Sequence, residues 1–94
     1  MIVDFHCKDS EKLFRREKSK KFPEKIQKIA YRKLLMIHAS ANINDLRIPP
    51  SNHLEKLKGK RKHQHSIRTN KQWRICFTWK DNNAYQASIE DYHS

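Results

Sequence analysis

Four large apolar residues at every second position constrain this chain more than any other feature. Trp73, Ile75, Phe77 and Trp79 alternate without a break with Arg74, Cys76, Thr78 and Lys80. A period of two is the side-chain period of a β-strand, so this segment predicts a half-buried strand with a core face and a polar face. Residues 63–69 before it and 85–91 after it read as further strands. Asp81-Asn82-Asn83 is a turn signal between the second pair.

The first half of the chain reads as helical. Residues 1–5 form a short strand, with Ile2, Val3 and Phe5 apolar. Asp9 or Ser10 caps a first helix that runs to about Lys18 and buries Leu13 and Phe14. Pro23 suits a first helical position, and Ile26, Ile29, Ala30, Leu34 and Ile37 then recur at helical spacing to an end near Ala41 and Asn42. Residues 43–62 are irregular, because Ile48-Pro49-Pro50 cannot lie inside a helix. Leu54 and Leu57 are expected to plug the core from this region. The fold class is therefore α+β. Two N-terminal helices pack on a small, mostly antiparallel sheet in the order β-α-α-β-β-β, as one domain over residues 1–94.

The alternation also sets a register. If Ile67 faces the same core as Ile75, the two pair, and Asn70-Lys71-Gln72 becomes a three-residue hairpin loop. Arg68 then lies opposite Arg74 on the polar face. Two adjacent guanidinium groups repel, which a protein tolerates most readily where an anion sits between them. The alternatives are that both project into water, or that one pairs with Glu90 or Asp91.

Charge points the same way. The chain has 94 residues, with 21 Lys and Arg against 10 Asp and Glu, a net charge of +11. Seventeen of the 21 basic residues lie in residues 1–62. Such an excess attracts polyanions, nucleic acid first and an acidic protein second; the bland reading is a solvated lysine face. No apolar run is long enough to cross a membrane, and Met1-Ile2-Val3-Asp4-Phe5-His6 turns polar too soon for a secretory signal. Cys7 and Cys76 make no disulfide framework, so reduced thiols in the cytoplasm are the expectation.

The chemical possibilities narrow quickly. His63-x-His65 lacks a third ligand at zinc spacing, so no metal is expected. Gly-rich phosphate loops and a serine nucleophile elbow are absent. What remains is polar and basic: Glu55, Lys58, Arg68, Arg74 and the terminal Glu90-Asp91-Tyr92-His93. Cleaving RNA requires a base for the ribose 2′-OH, cations for the charge on phosphorus, and an acid for the leaving 5′-oxygen. A carboxylate, an arginine pair and a histidine supply all three, and an aromatic ring can hold a base by stacking. The competing reading is a surface carboxylate and an ordinary chain end.

Three stretches resemble the HigB-type toxins of bacterial type II toxin–antitoxin systems, in the RelE/ParE superfamily. They are Asp45-Leu46-Arg47-Ile48-Pro49-Pro50-Ser51-Asn52-His53-Leu54-Glu55-Lys56-Leu57-Lys58-Gly59, His65-Ser66-Ile67-Arg68-Thr69-Asn70-Lys71-Gln72-Trp73-Arg74-Ile75-Cys76-Phe77, and Glu90-Asp91-Tyr92-His93. The resemblance implies a RelE-like microbial-RNase fold and ribosome-dependent cleavage of mRNA in the small-subunit decoding site, with no metal or other cofactor. It also implies a helix-turn-helix, HigA-type antitoxin, with operator DNA bound only through the toxin–antitoxin complex, a cytoplasmic location and no membrane partner. By position, the family's transition-state arginine falls on Arg74 and its C-terminal catalytic group on Asp91, Tyr92 and His93. Some HigB toxins carry a histidine where this chain has Glu55. The related YoeB toxins use a carboxylate in an E-x-L-K context, matched here by Glu55-Lys56-Leu57-Lys58, and carry an arginine where Arg68 stands. The resemblance thus implies Glu55 as base, His93 as acid, Arg68 and Arg74 as phosphate clamps and Tyr92 as a stacking or orienting group. Lys56, Lys58, Lys60, Arg61 and Lys62 form the expected RNA-binding loop. Two other functions fit the same superfamily or charge: a ParE-like toxin that binds gyrase, and a non-catalytic RNA- or ribosome-binding module.

Overall fold

The computed structural model describes residues 1–92. Helix α1 spans Lys8–Phe14 and helix α2 spans Glu24–Ala39. Four strands follow: β1 Glu55–Lys56, β2 Gln64–Arg68, β3 Trp73–Lys80 and β4 Asn83–Asp91. They pair antiparallel in the order β1-β2-β3-β4. This is the expected α+β arrangement of two helices on a small sheet, and β3 has the limits that its alternation predicts.

The differences have local causes. The strand expected at residues 1–5 is reduced to two isolated parallel bridges on the outer edge of β4, Ile2 with Ala84 and Phe5 with Ala87. A bulge at Gln86 separates them. Its backbone is left-handed (φ 54°), and its N–H turns out to the Asp4 carboxylate at 2.6 Å instead of to a strand. Helix α1 stops at Phe14 rather than near Lys18. Arg16 takes the left-handed conformation (φ 63°), and the N–H groups of Arg16 and Glu17 donate back to the carbonyls of Leu13 and Lys12 at 3.1 and 2.8 Å. That is a Schellman ending with arginine where glycine is usual. Neither Asp9 nor Ser10 caps α1. Cys7 holds the cap position, Asp9 accepts a hydrogen bond from the Ser19 hydroxyl, and the Ser10 Oγ accepts one from Ile89 N–H in the core.

Helix α2 begins with Pro23 at the cap and ends at Ala39. Asn42 instead caps the 3₁₀ turn Ile43–Arg47, in a reciprocal arrangement with Asp45. Ile26, Ala30, Leu34 and Ile37 are buried as expected, but Ile29 is 36% exposed while Lys33 is only 9% exposed. The region 43–62 is not wholly irregular: 3₁₀ turns alternate with the two-residue strand β1. Leu54 packs at the margin of the core; Leu57 is half-buried outside the core cluster and donates its N–H to Gln64 O at 2.9 Å.

Both helices cover one face of the sheet. Ile67, Ile75, Phe77, Ala84, Ala87 and Ile89 supply the sheet side of the core, and Leu13, Ile26, Ala30, Leu34 and Ile37 the helix side. The bulge sets which residues of β4 belong to which face. One extra residue at Gln86 allows Ala84, paired with Trp79, and Ile89, paired with Ile75, to point to the same core five positions apart. It therefore sends Ser88 and Glu90 to the helix-free face. Asp81 and Asn82 (φ 51° and 62°) form the two-residue turn between β3 and β4, closed by the Lys80–Asn83 pair.

Candidate active site

The helix-free face carries Glu55, Arg68, Arg74 and Glu90 together, and the register brings them there. Ile67 pairs with Ile75 and Arg68 with Arg74, as the hydrophobic pattern predicts. Residues directly opposite on antiparallel strands share a face, so the row Arg68-Arg74-Glu90 runs across β2, β3 and β4. The adjacent row on the same face is Glu55-Ser66-Cys76-Ser88. Glu55 is thus brought to the arginine face from β1. Standard strand spacings put its backbone roughly 8 Å from that of Arg68 and roughly 12 Å from that of Arg74. Both gaps suit long side chains around a phosphate.

Tyr92 closes the group. One residue past β4, it falls by alternation on the face of Glu90, and its N–H donates to Gln72 O at 2.7 Å. Its ring lies under both guanidinium groups, with the Arg74 carbon 4.9 Å and the Arg68 carbon 5.5 Å from the ring centre. Stacking on one ring holds two like charges side by side at a favourable quadrupole. Arg68 Nε, Arg74 Nε and the Tyr92 hydroxyl are all buried and have no hydrogen-bond partner among the described residues, and neither has Ser66 Oγ. Buried donors without partners are rare and expensive, which makes this cluster a site prepared for an acceptor-rich ligand.

Glu90 tempers the charge. Arg61 reaches it from the basic loop as a two-pronged pair, Nη1 to Oε1 at 2.8 Å and Nη2 to Oε2 at 2.6 Å, and Arg74 Nη2 stands 3.9 Å from Oε1. Desolvation works to raise the Glu90 pKa, but the Arg61 hydrogen bonds and charge, with Arg74 behind them, outweigh it and hold the carboxyl below its ordinary value. Beside them Cys76 is 1% exposed. Its burial, reinforced by the Glu90 charge, pushes its thiol up to about 11.

The expected site residues divide as follows. Arg68, Arg74 and Tyr92 are in direct contact, and Glu55 shares their face. Asp91 is on the other face: it pairs with Trp73, accepts a hydrogen bond from Gln72 Nε2 at 2.9 Å and lines a separate cavity with Lys21 and Trp73. His93 lies outside the described residues. Lys58, Lys60 and Lys62 are exposed, and Lys56 is exposed but pairs with His65 on the helix side. Arg61 is half-buried and engaged by Glu90. Among the described residues no three His, Cys, Asp or Glu side chains gather as a metal site.

Comparison with known proteins decides the family. The model for the RelE-like toxin of the type II toxin–antitoxin system HigB matches residues 3–93. Toxin HigB-1 of Vibrio cholerae serotype O1 is 36% identical over 93 residues, 98% of each chain. The chain belongs to the HigB-like toxin family. An uncharacterized protein of Haemophilus influenzae is 52% identical over 72 residues, 77% of this chain and 71% of that one. A HigB-like toxin of a type II system implies a cognate antitoxin as partner. No helix among the described residues is long and apolar enough to cross a membrane.

Two features of this toxin escaped the sequence pattern. The Arg61–Glu90 pair spans 29 positions, and only the sheet order reveals it. Lys33 occupies a core position of α2, where its ammonium donates to Asn52 Oδ1. A lysine interrupting an apolar stripe, at i+4 from Ile29 and i−4 from Ile37, was the available signal.

Proposed function

We propose that this HigB-like toxin is an endoribonuclease that cleaves mRNA on the ribosome and so arrests translation and growth. The 2′-oxygen of a ribose attacks the adjacent phosphorus, the 2′-O–P bond forms and the P–O5′ bond breaks. The products are a cyclic phosphate and a 5′-hydroxyl. Glu55 takes the 2′ proton. Arg68 and Arg74 hold the non-bridging oxygens as charge accumulates, a kind of stabilisation worth about 10²–10³ in rate per donor. His93 returns a proton to the 5′-oxygen. Tyr92 keeps the two guanidinium groups in place and offers its hydroxyl to the substrate. Lys56, Lys58, Lys60 and Lys62 attract the RNA backbone, while Asp91 serves through Gln72 as an anchor of the tail rather than as a catalytic group.

The observation that carries this reading is the arginine pair on one tyrosine ring, with both Nε atoms and the hydroxyl buried and unpaired. A carboxylate on the same face gives the pair a base. In this reading a helix-turn-helix antitoxin neutralises the toxin in the cytoplasm, and the complex of the two binds operator DNA. The test is primer extension on mRNA after induction, together with cleavage by purified protein on programmed ribosomes. Arg74→Ala and His93→Gln should each abolish both cleavage and growth arrest while retaining the native circular dichroism spectrum. Full toxicity of both variants would overturn the reaction, as would inhibition of gyrase without mRNA cleavage.

A further inference from the structure

A second basic cavity adjoins the arginine face, and it is not used by the reaction above. It measures about 340 Å³ and is lined by Lys33, Ser51, His53, Arg68, Thr69, Asn70 and Lys71. Every side chain in it donates hydrogen bonds or carries positive charge or neutral polarity, and no carboxylate lines it. Thr69 is 8% exposed, and its hydroxyl has no hydrogen-bond partner among the described residues. Lys33 is 9% exposed; Asn52 Oδ1 accepts from its ammonium, and the Asn52 amide is in turn fixed by donating to Leu46 O at 3.1 Å. A buried ammonium held in position by a buried amide is a prepared cation, not a side chain that happens to lie over the surface. Desolvation first, and then the Arg32 charge, lower the Lys33 pKa, and an anion in the cavity would oppose both.

We propose that this cavity binds a backbone phosphate of the RNA strand next to the scissile one. Arg68 links the two places. Its guanidinium lies on the Tyr92 ring, and the residue also forms part of the cavity wall. A strand that crosses the arginine pair therefore continues into a lining of Lys33, Lys71 and the Thr69 hydroxyl. The inference rests on the reading of this face as an RNA site, but it concerns binding and not the chemical step.

The test uses a short single-stranded RNA whose 2′-hydroxyls are O-methylated, so that it binds without being cleaved, titrated against the full-length protein by fluorescence anisotropy at several salt concentrations. Each lost phosphate contact lowers the slope of log K against log salt by about 0.7 for a single strand. Lys33→Gln and Lys71→Ala should each weaken binding several-fold and shed about that much slope. Lys71 is exposed, so its variant keeps the test open should Lys33→Gln fail to fold. Replacing single phosphates by neutral methylphosphonates should reveal one position at which wild-type affinity falls and Lys71→Ala affinity does not. Unchanged affinity and slope in folded Lys71→Ala would overturn the site, and so would a loss seen on ribosomes with oligonucleotide binding intact. Because the probe cannot be cleaved, a protein that binds it without cutting mRNA would sink the proposed reaction and leave this site standing.

Discussion

Replacing Arg61 by methionine should damage the toxin twice, in stability and in the proposed cleavage, and the second kind of damage should be reversible. The substitution removes two charge-assisted hydrogen bonds to Glu90, of 2.6 and 2.8 Å, and a third from Arg61 Nε to Gln64 Oε1 at 2.9 Å; the side chains of the ion pair are 38% and 25% exposed. Fully exposed pairs contribute about 0.2–1 kcal/mol, and breaking a buried one costs about 3–5. A half-buried pair falls between these and closer to the first, at about 1–2 kcal/mol, or roughly 5–15 °C in Tm for a domain of this size. The sign with pH follows from Glu90. Its folded pKa is held below its unfolded value, so its stabilisation is present above the ordinary carboxylate range and is lost as pH falls through that range toward the folded value. Wild type and Arg61→Met should therefore converge in Tm under acid conditions and differ most at neutral pH. The second effect is on catalysis. Arg74 already stands 3.9 Å from Glu90. Without Arg61, the carboxylate has Arg74 as its remaining cation and neutralises the charge meant for phosphate, so mRNA cleavage should fall. Adding Glu90→Gln removes that competitor, so the double variant should cleave better than Arg61→Met while folding no more stably. Thermal unfolding by circular dichroism across pH and cleavage on programmed ribosomes read the two effects separately. An Arg61→Met variant that melts with wild type at pH 7, or a double variant that cleaves no better than the single, would refute the reasoning.

The two thiols should behave differently. Cys76, buried and shifted to about 11, should stay unmodified by iodoacetamide at pH 7.5 in the native protein, whereas half-exposed Cys7, whose thiol is lowered by hydrogen bonds from Ser10 and the nearby Lys21 against the opposing pull of desolvation, should react first. Mass spectrometry of partly labelled protein decides it, and equal rates would contradict the burial of Cys76. Arg16→Gly should raise stability modestly. Glycine accepts the left-handed backbone that costs an L-residue about 1 kcal/mol, against the loss of the Arg16 guanidinium 4.7 Å above the Tyr31 ring, worth about 0.5 kcal/mol at an exposed site. A lower melting temperature would show that the ring contact, not the backbone, governs this turn.

What could be read from the sequence of this toxin, and what could not, divides along the range of the interactions. The β2–β3 register was legible because Ile67, Ile75 and the Asn70-Lys71-Gln72 loop admit one pairing that keeps both isoleucines in the core, and Arg68 opposite Arg74 follows from it. A slip of one residue would have set one of the two arginines beside an isoleucine on the core face. Strict alternation also separates Tyr92 from Asp91, although the resemblance groups both in one C-terminal set. The bulge at Gln86 was not, because it depends on the Asp4 carboxylate, 82 positions away, taking the Gln86 N–H. Without that contact β4 would carry Ala84 to the face opposite Ile89. Lys33 was legible only as a break in the apolar stripe; that it turns inward depends on Asn52, from a 3₁₀ turn whose path the apolar pattern does not encode. Local periodicity thus determines which residues share a face, while single long-range hydrogen bonds determine which charges on that face remain free. The Arg61–Glu90 pair is the consequence that matters most for the proposed reaction. By holding the one carboxylate in the arginine row, Arg61 leaves Arg68 and Arg74 without a close anionic partner in that row, so under the proposed function a residue that reads as a generic RNA contact is the group that keeps the proposed phosphate site cationic.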